Sequence, residues 1–194
     1  MEDKHLSPEQ SIQLIQSMIQ KTKQNLFNSS RYFLLWGYTT FICFLAQYFL
    51  ITVINYPQHY IVWMAMMVTA AISVFWSIKD TQKSTVKTYV DDMIGIFWMG
   101  LGMLFFGLVA VFSIKGWGSG YPVFILLYGF GTFTTGRIIQ FKPLIWGGLL
   151  NFPIAIATSL VSYQQQLLLA ALAILLSYIV PGHLLKWHFK KQLA

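Results

Sequence analysis

The run from Gly129 to Gly136, Gly-Phe-Gly-Thr-Phe-Thr-Thr-Gly, spaces its glycines like a loop that cradles a phosphate. Such a loop needs free backbone N–H groups at a strand-to-helix junction. Here the glycines lie between the apolar stretches VFILLY and RIIQF, with no strand before them. At helical spacing Gly129, Thr132 and Gly136 share a face. Beyond a short turn, Gly148, Asn151, Ala155, Thr158 and Ser162 form a second small face. Small residues let transmembrane backbones approach closely, and Thr, Asn and Ser can add interhelical hydrogen bonds of ~0.6–2 kcal/mol each. The glycines are therefore read as helix packing.

Other groups able to do chemistry are few. Thr88 and Asp91 are spaced to cap a helix, and Asp91 and Asp92 suit its positive end. An enzyme would have to use Asp91, Arg137 and His183, the members of a candidate polar cluster at the cytoplasmic face. Gln47 and Asn151 are isolated polar residues within apolar stretches, and His183 and His188 read as helix-end anchors. There is no H-E-x-x-H, no G-x-S-x-G and no acidic or histidine pair inside an apolar stretch. Cys43 stands alone, so neither a disulfide framework nor a cysteine metal site is expected. The expectation is a protein without catalytic residues, cofactor or metal.

The elements that must carry these residues are set by composition. Of 194 residues 56% are hydrophobic and only 10% are charged, against about a quarter charged in soluble domains. Six apolar stretches, roughly 32–54, 60–78, 93–114, 121–138, 143–162 and 166–185, each approach the ~20 residues a helix needs to cross a bilayer. Backbone polar groups in lipid must be satisfied within the segment, which selects helices. Twelve of the 13 Lys and Arg residues flank one side of these stretches and Lys115 alone the other, which puts both termini in the cytoplasm. Trp36, Trp76, Trp146 and Trp187 fall at one boundary and Trp63 and Trp117 at the other, as in an aromatic belt. The net charge of +7 is distributed as these flanks, not as one soluble face, so nucleic acid is not an expected partner.

The expected fold is all-α: a polytopic membrane protein with six transmembrane helices in 32–185, an amphipathic cytoplasmic helix in 1–31 and a basic tail in 186–194. Ser7, Pro8, Glu9 and Gln10 read as a capped helix start. Ile12, Ile15, Met18, Ile19 and Leu26 then fall on one face. That face either lies on the membrane or docks on protein, and the scarcity of Lys and Arg opposite it favours docking. Ile12, Ile15 and Ile19 are the expected docking residues, toward a partner protein or a second copy. Pro122 and Pro143 open helices, whereas Pro153 and Pro181 should bend theirs. Residues 33–41 and 125–133 align with five identities, which raises an inverted repeat as an alternative organisation.

The segments LIQSMIQ, FLLWGY, TYVDDMI, GTFTTGRIIQFKPLIWGG and YIVPGHLLKW resemble an uncharacterised family of small six-span inner-membrane proteins from Bacteroides-like bacteria. The resemblance implies a bacterial inner membrane and carries no activity with it. The expected function is that of a non-enzymatic interaction or regulatory module whose constant partner is the lipid bilayer. The alternative is a small transporter or channel for an uncharged or apolar solute.

Overall fold

The computed structural model describes the backbone of residues 8–83, 89–117 and 120–193, and side chains from Ser30 onward except in 81–83, 89–91, 189 and 192–193. Every regular element among them is helical. In chain order these are α1 (Pro8–Thr52), a 3-10 segment (His59–Met64), α2 (Ala65–Lys83), α3 (Tyr89–Lys115), α4 (Gly120–Ile138), α5 (Lys142–Ser159), α6 (Tyr163–Ile174), a π turn (Leu175–Ile179) and α7 (Val180–Leu193). α1 runs for 45 residues without a break, because no Gly or Pro interrupts the chain between Glu9 and Trp36. The expected boundary at residue 31 thus falls in mid-helix. The segments Ser7–Gln10 and Thr88–Asp91, read as caps, lie outside the described side chains.

Among the described residues four segments are long and apolar enough to cross a membrane: Ser30–Thr52, His59–Asp80, Asp92–Lys115 and Tyr163–His188. α4 and α5, at 19 and 18 residues, have similar lengths. Their apolarity is diluted by Gly129, Gly131, Thr132, Gly136, Gly147, Gly148, Asn151 and Thr158, all of them buried. Small polar residues lower hydropathy where they let helices touch, so the two helices packed closest are not among those four segments.

The turn between α4 and α5 closes with Gln140 in the left-handed region at φ 55. The Phe141 N–H donates to the Gly136 carbonyl at 2.9 Å, the six-to-one bond that ends a helix in this way. α5 continues as an α-helix on both sides of Pro153. Pro181 is treated differently: the π turn precedes it, and the Val180 N–H reaches back five residues to the Leu175 carbonyl. The wider turn fits because its neighbours lack side chains. A Cβ on Gly37 of α1 would lie 2.9 Å from Tyr178 Cβ, and one on Gly147 of α5 would lie 2.6 Å from the Leu176 carbonyl.

α1, α4, α5, α6 and α7 enclose the core, built on Phe33, Phe44, Ile125, Leu144, Leu167, Ile174 and Leu185. α2 and α3 stand at its edge. Only 6% of each of their apolar windows is buried, against 56% for Tyr163–His188. α3 touches the core along one line, where Leu101 and Trp98 meet Gly131 and Phe105 meets Phe124 and Tyr128.

Candidate functional site

The residues read as a helix-packing face meet where α4 and α5 cross. A Cβ on Gly129 would sit 2.7 Å from Asn151 Cβ, one on Gly136 would sit 2.7 Å from the Ile145 N, and one on Gly148 would sit 2.7 Å from the Gly129 carbonyl oxygen. Thr132, Asn151 and Ala155 are buried beside them. The glycines therefore have no open face on which to cradle a ligand. The hydroxyls do less than expected: Thr132 donates to the Tyr128 carbonyl at 2.7 Å and Thr158 to the Ile154 carbonyl at 2.7 Å, each within its own helix. Thr69 does both, bonding the Ala65 carbonyl of its own helix at 3.0 Å and the Thr39 hydroxyl of α1 at 3.1 Å.

Asn151 has the reach that Thr132 and Thr158 lack. With its amide turned to complement its surroundings, Nδ2 donates to the Ala173 carbonyl and Oδ1 accepts from the Gly129 N–H, both at 3.2 Å. Ser177 Oγ lies 3.2 Å from the same Oδ1 and donates to the Ala173 carbonyl at 2.7 Å. One buried amide thus joins α4, α5 and the end of α6.

A second buried amide organises one end of the bundle. Gln47, 1% exposed, receives the Trp63 indole N–H on Oε1 at 2.7 Å and the Tyr121 hydroxyl at 3.1 Å. An indole nitrogen can only donate, so it fixes which end of the amide is oxygen. Nε2 must then donate to His59 Nδ1 at 3.0 Å and to the Tyr163 hydroxyl at 3.4 Å. His59 is consequently held in the tautomer with its proton on Nε2. Tyr163, 3.1 Å from Tyr121, donates to it, since the Tyr121 proton is already directed at Gln47. Four elements meet in one consistent set of donors. Gln47 was recognisable as a polar residue in an apolar stretch, but of its partners only Trp63 was singled out, as a belt aromatic.

At the opposite end Arg31 forms an ion pair with Asp80, and the Tyr32 hydroxyl donates to the same carboxylate at 2.9 Å. The guanidinium lies 5.1 Å from the centre of the Trp76 ring. This pairing across α1 and α2 was hidden because Arg31 also serves as a flanking cation. Of the candidate cluster, Arg137 is exposed on α4 and His183 Nε2 lies 2.7 Å from the Tyr38 hydroxyl. Nothing joins the two among the described residues, and the side chain of Asp91 is outside them. The side chains of Ile12, Ile15 and Ile19 also lie outside them, on the first turns of α1. No group of three His, Cys, Asp or Glu able to hold a metal occurs among the described residues.

The outer faces of α2 and α3 are the least covered by the rest of the bundle. Met67, Val74, Met103, Phe106 and Ile114 are all more than half exposed. Gly95, Gly100, Gly102 and Gly107 of α3 have no atom within 4 Å of where a side chain would begin. These features define an all-helical protein with helices suited to a membrane. No protein family, curated protein or solved structure matches the chain.

Proposed function

We propose that the chain is a non-enzymatic interaction or regulatory module of a bacterial inner membrane, crossing it six times with both termini in the cytoplasm. The observation that carries this reading is the division into a closed core and two edge helices with bare apolar faces. Polar residues that a transport path would use are engaged in packing: Asn151 joins α4 to α6, and Gln47 joins α1 to its neighbours. The cationic flanks support the orientation, and the helical backbone of residues 8–29 extends the protein beyond the apolar segment Ser30–Thr52.

The partner, a second copy or another protein, docks on the face of Ile12, Ile15 and Ile19. Cross-linking in native membranes tests this. Wild-type protein should give an adduct of defined mass that disappears when all three isoleucines are changed to Asp, while the mutant still inserts. Identical adducts from both proteins would defeat the docking account and return the transporter reading to the front.

A further inference from the structure

A shallow groove of about 350 Å3 runs between α1 and α2. Its α1 side is formed by Arg31, Leu34, Leu35, Tyr38 and Ile42, with Trp76 of α2 opposite. On a helix these α1 positions follow one another along a single track of about 16 Å. The track has a charged end and an apolar length. Arg31 stands at the start of the apolar segment Ser30–Thr52 and Asp80 at the end of His59–Asp80, so the charged end lies where hydrocarbon gives way to headgroups. Farther along, Tyr38 and Ile42 are 43% and 59% exposed.

The charged end has capacity that the chain does not use. Asp80 binds the guanidinium through Nη2 alone, the Arg31 side chain stays 38% exposed, and among the described residues its Nε–H has no acceptor. Lys79, next to Asp80 in the chain, is exposed with its ammonium 4.4 Å from the centre of the Phe75 ring, and Arg31, Lys79 and Asp80 together carry one net positive charge. An apolar track in a membrane, ending in a donor-rich site of net positive charge, complements one molecule class: a lipid with an acyl chain and an anionic phosphate headgroup.

We propose that the α1–α2 groove holds one acyl chain of an anionic phospholipid, with Arg31 donating to its phosphate. Asp80 and the Trp76 face hold the guanidinium in place. The headgroup's net charge is drawn by Lys79, which would repel the choline of a zwitterionic lipid. This rests on the membrane setting and not on any protein partner, so the cross-linking result above leaves it untouched.

The test is native mass spectrometry of the full chain after delipidation and exposure to equimolar phosphatidylglycerol and phosphatidylcholine. One tightly retained lipid is expected, with phosphatidylglycerol favoured about fivefold, the value of roughly one interfacial charge. Arg31→Gln with Asp80→Asn removes the phosphate donor while leaving the local net charge at one, so it should weaken retention of both lipids and keep the ratio above one. Leu35→Trp, which fills the groove beside Arg31, should abolish retention. Should either fail to fold, Lys79→Gln at an exposed position should still lower the ratio. Wild-type protein without a retained lipid, or without preference between the two, overturns the proposal, as does an unchanged ratio in Lys79→Gln.

Discussion

Replacing Gln47 by Leu would strand the Trp63 N–H and the Tyr121 hydroxyl as donors, and His59 Nδ1 as an acceptor, around an apolar side chain. Each buried donor left without a partner costs about 1–3 kcal/mol, so Gln47→Leu should lower the thermal unfolding midpoint in detergent sharply. His59→Phe should cost only about 1 kcal/mol, because Nε2 of Gln47 keeps Tyr163 as an acceptor. Equal losses from the two changes would show that Gln47 is not the centre of the network. Gln140 offers the opposite sign. It holds φ 55 without the freedom of glycine, and Gln140→Gly should stabilise by about 1 kcal/mol, measured by the same midpoint. A lower midpoint for Gln140→Gly would mean that the Gln140 side chain contributes more than its backbone strain removes.

Among elements, glycine separates helices that touch from helices that do not. Gly129→Leu and Gly136→Leu would drive a side chain into Asn151, Gly148, Leu144 and Ile145, and should destabilise by about 3 kcal/mol or more. Gly95→Leu and Gly102→Leu meet open space and gain helix propensity, so unfolding should shift little or upward. Thermal stability of the four in detergent decides the matter; no difference between the α4 and α3 pairs would refute the packing account. Four of the six apolar stretches, 32–54, 60–78, 93–114 and 166–185, match segments long and apolar enough to cross a membrane within a few residues, because length and apolarity are local properties. The meeting of Gly129, Asn151 and Gly148 was legible too, since a short turn leaves two small faces little choice but to meet. The π turn was not. It depends on Gly37 and Gly147 standing on either side of it, and these lie 110 positions apart in the chain. The aligned segments 33–41 and 125–133 put Gly37 beside Gly129 in the alignment, and both are sites of close approach. They face different neighbours, the π turn and α5, so shared spacing does not by itself give shared packing.

For the molecule as a whole, topology is the property to settle first. Single cysteines at Ser84, Ser119 and Gln192 in a Cys43→Ala background should label from outside only at Ser119, and external labelling at Gln192 would overturn the six-span orientation. Cys43 tolerates this change at small cost, having one weak bond from Sγ to the Val62 carbonyl at 3.3 Å. The unbroken α1 has a mechanical consequence. At 45 residues it is a rod of about 68 Å. Gln47 clamps one end, Gly37 bears on the π turn partway along, and the first turns at Pro8 lie far from both. A helix without a hinge transmits rotation, so a load applied near Pro8 acts on the middle of the bundle with the leverage of the whole projecting arm. A tilt of about 5° at Ser30 would displace the far end by roughly 3 Å over an arm of about 33 Å. Inserting two glycines after Thr22 would turn the rod into a tether, leaving any binding at its tip intact while disconnecting that event from the Gly37 fulcrum.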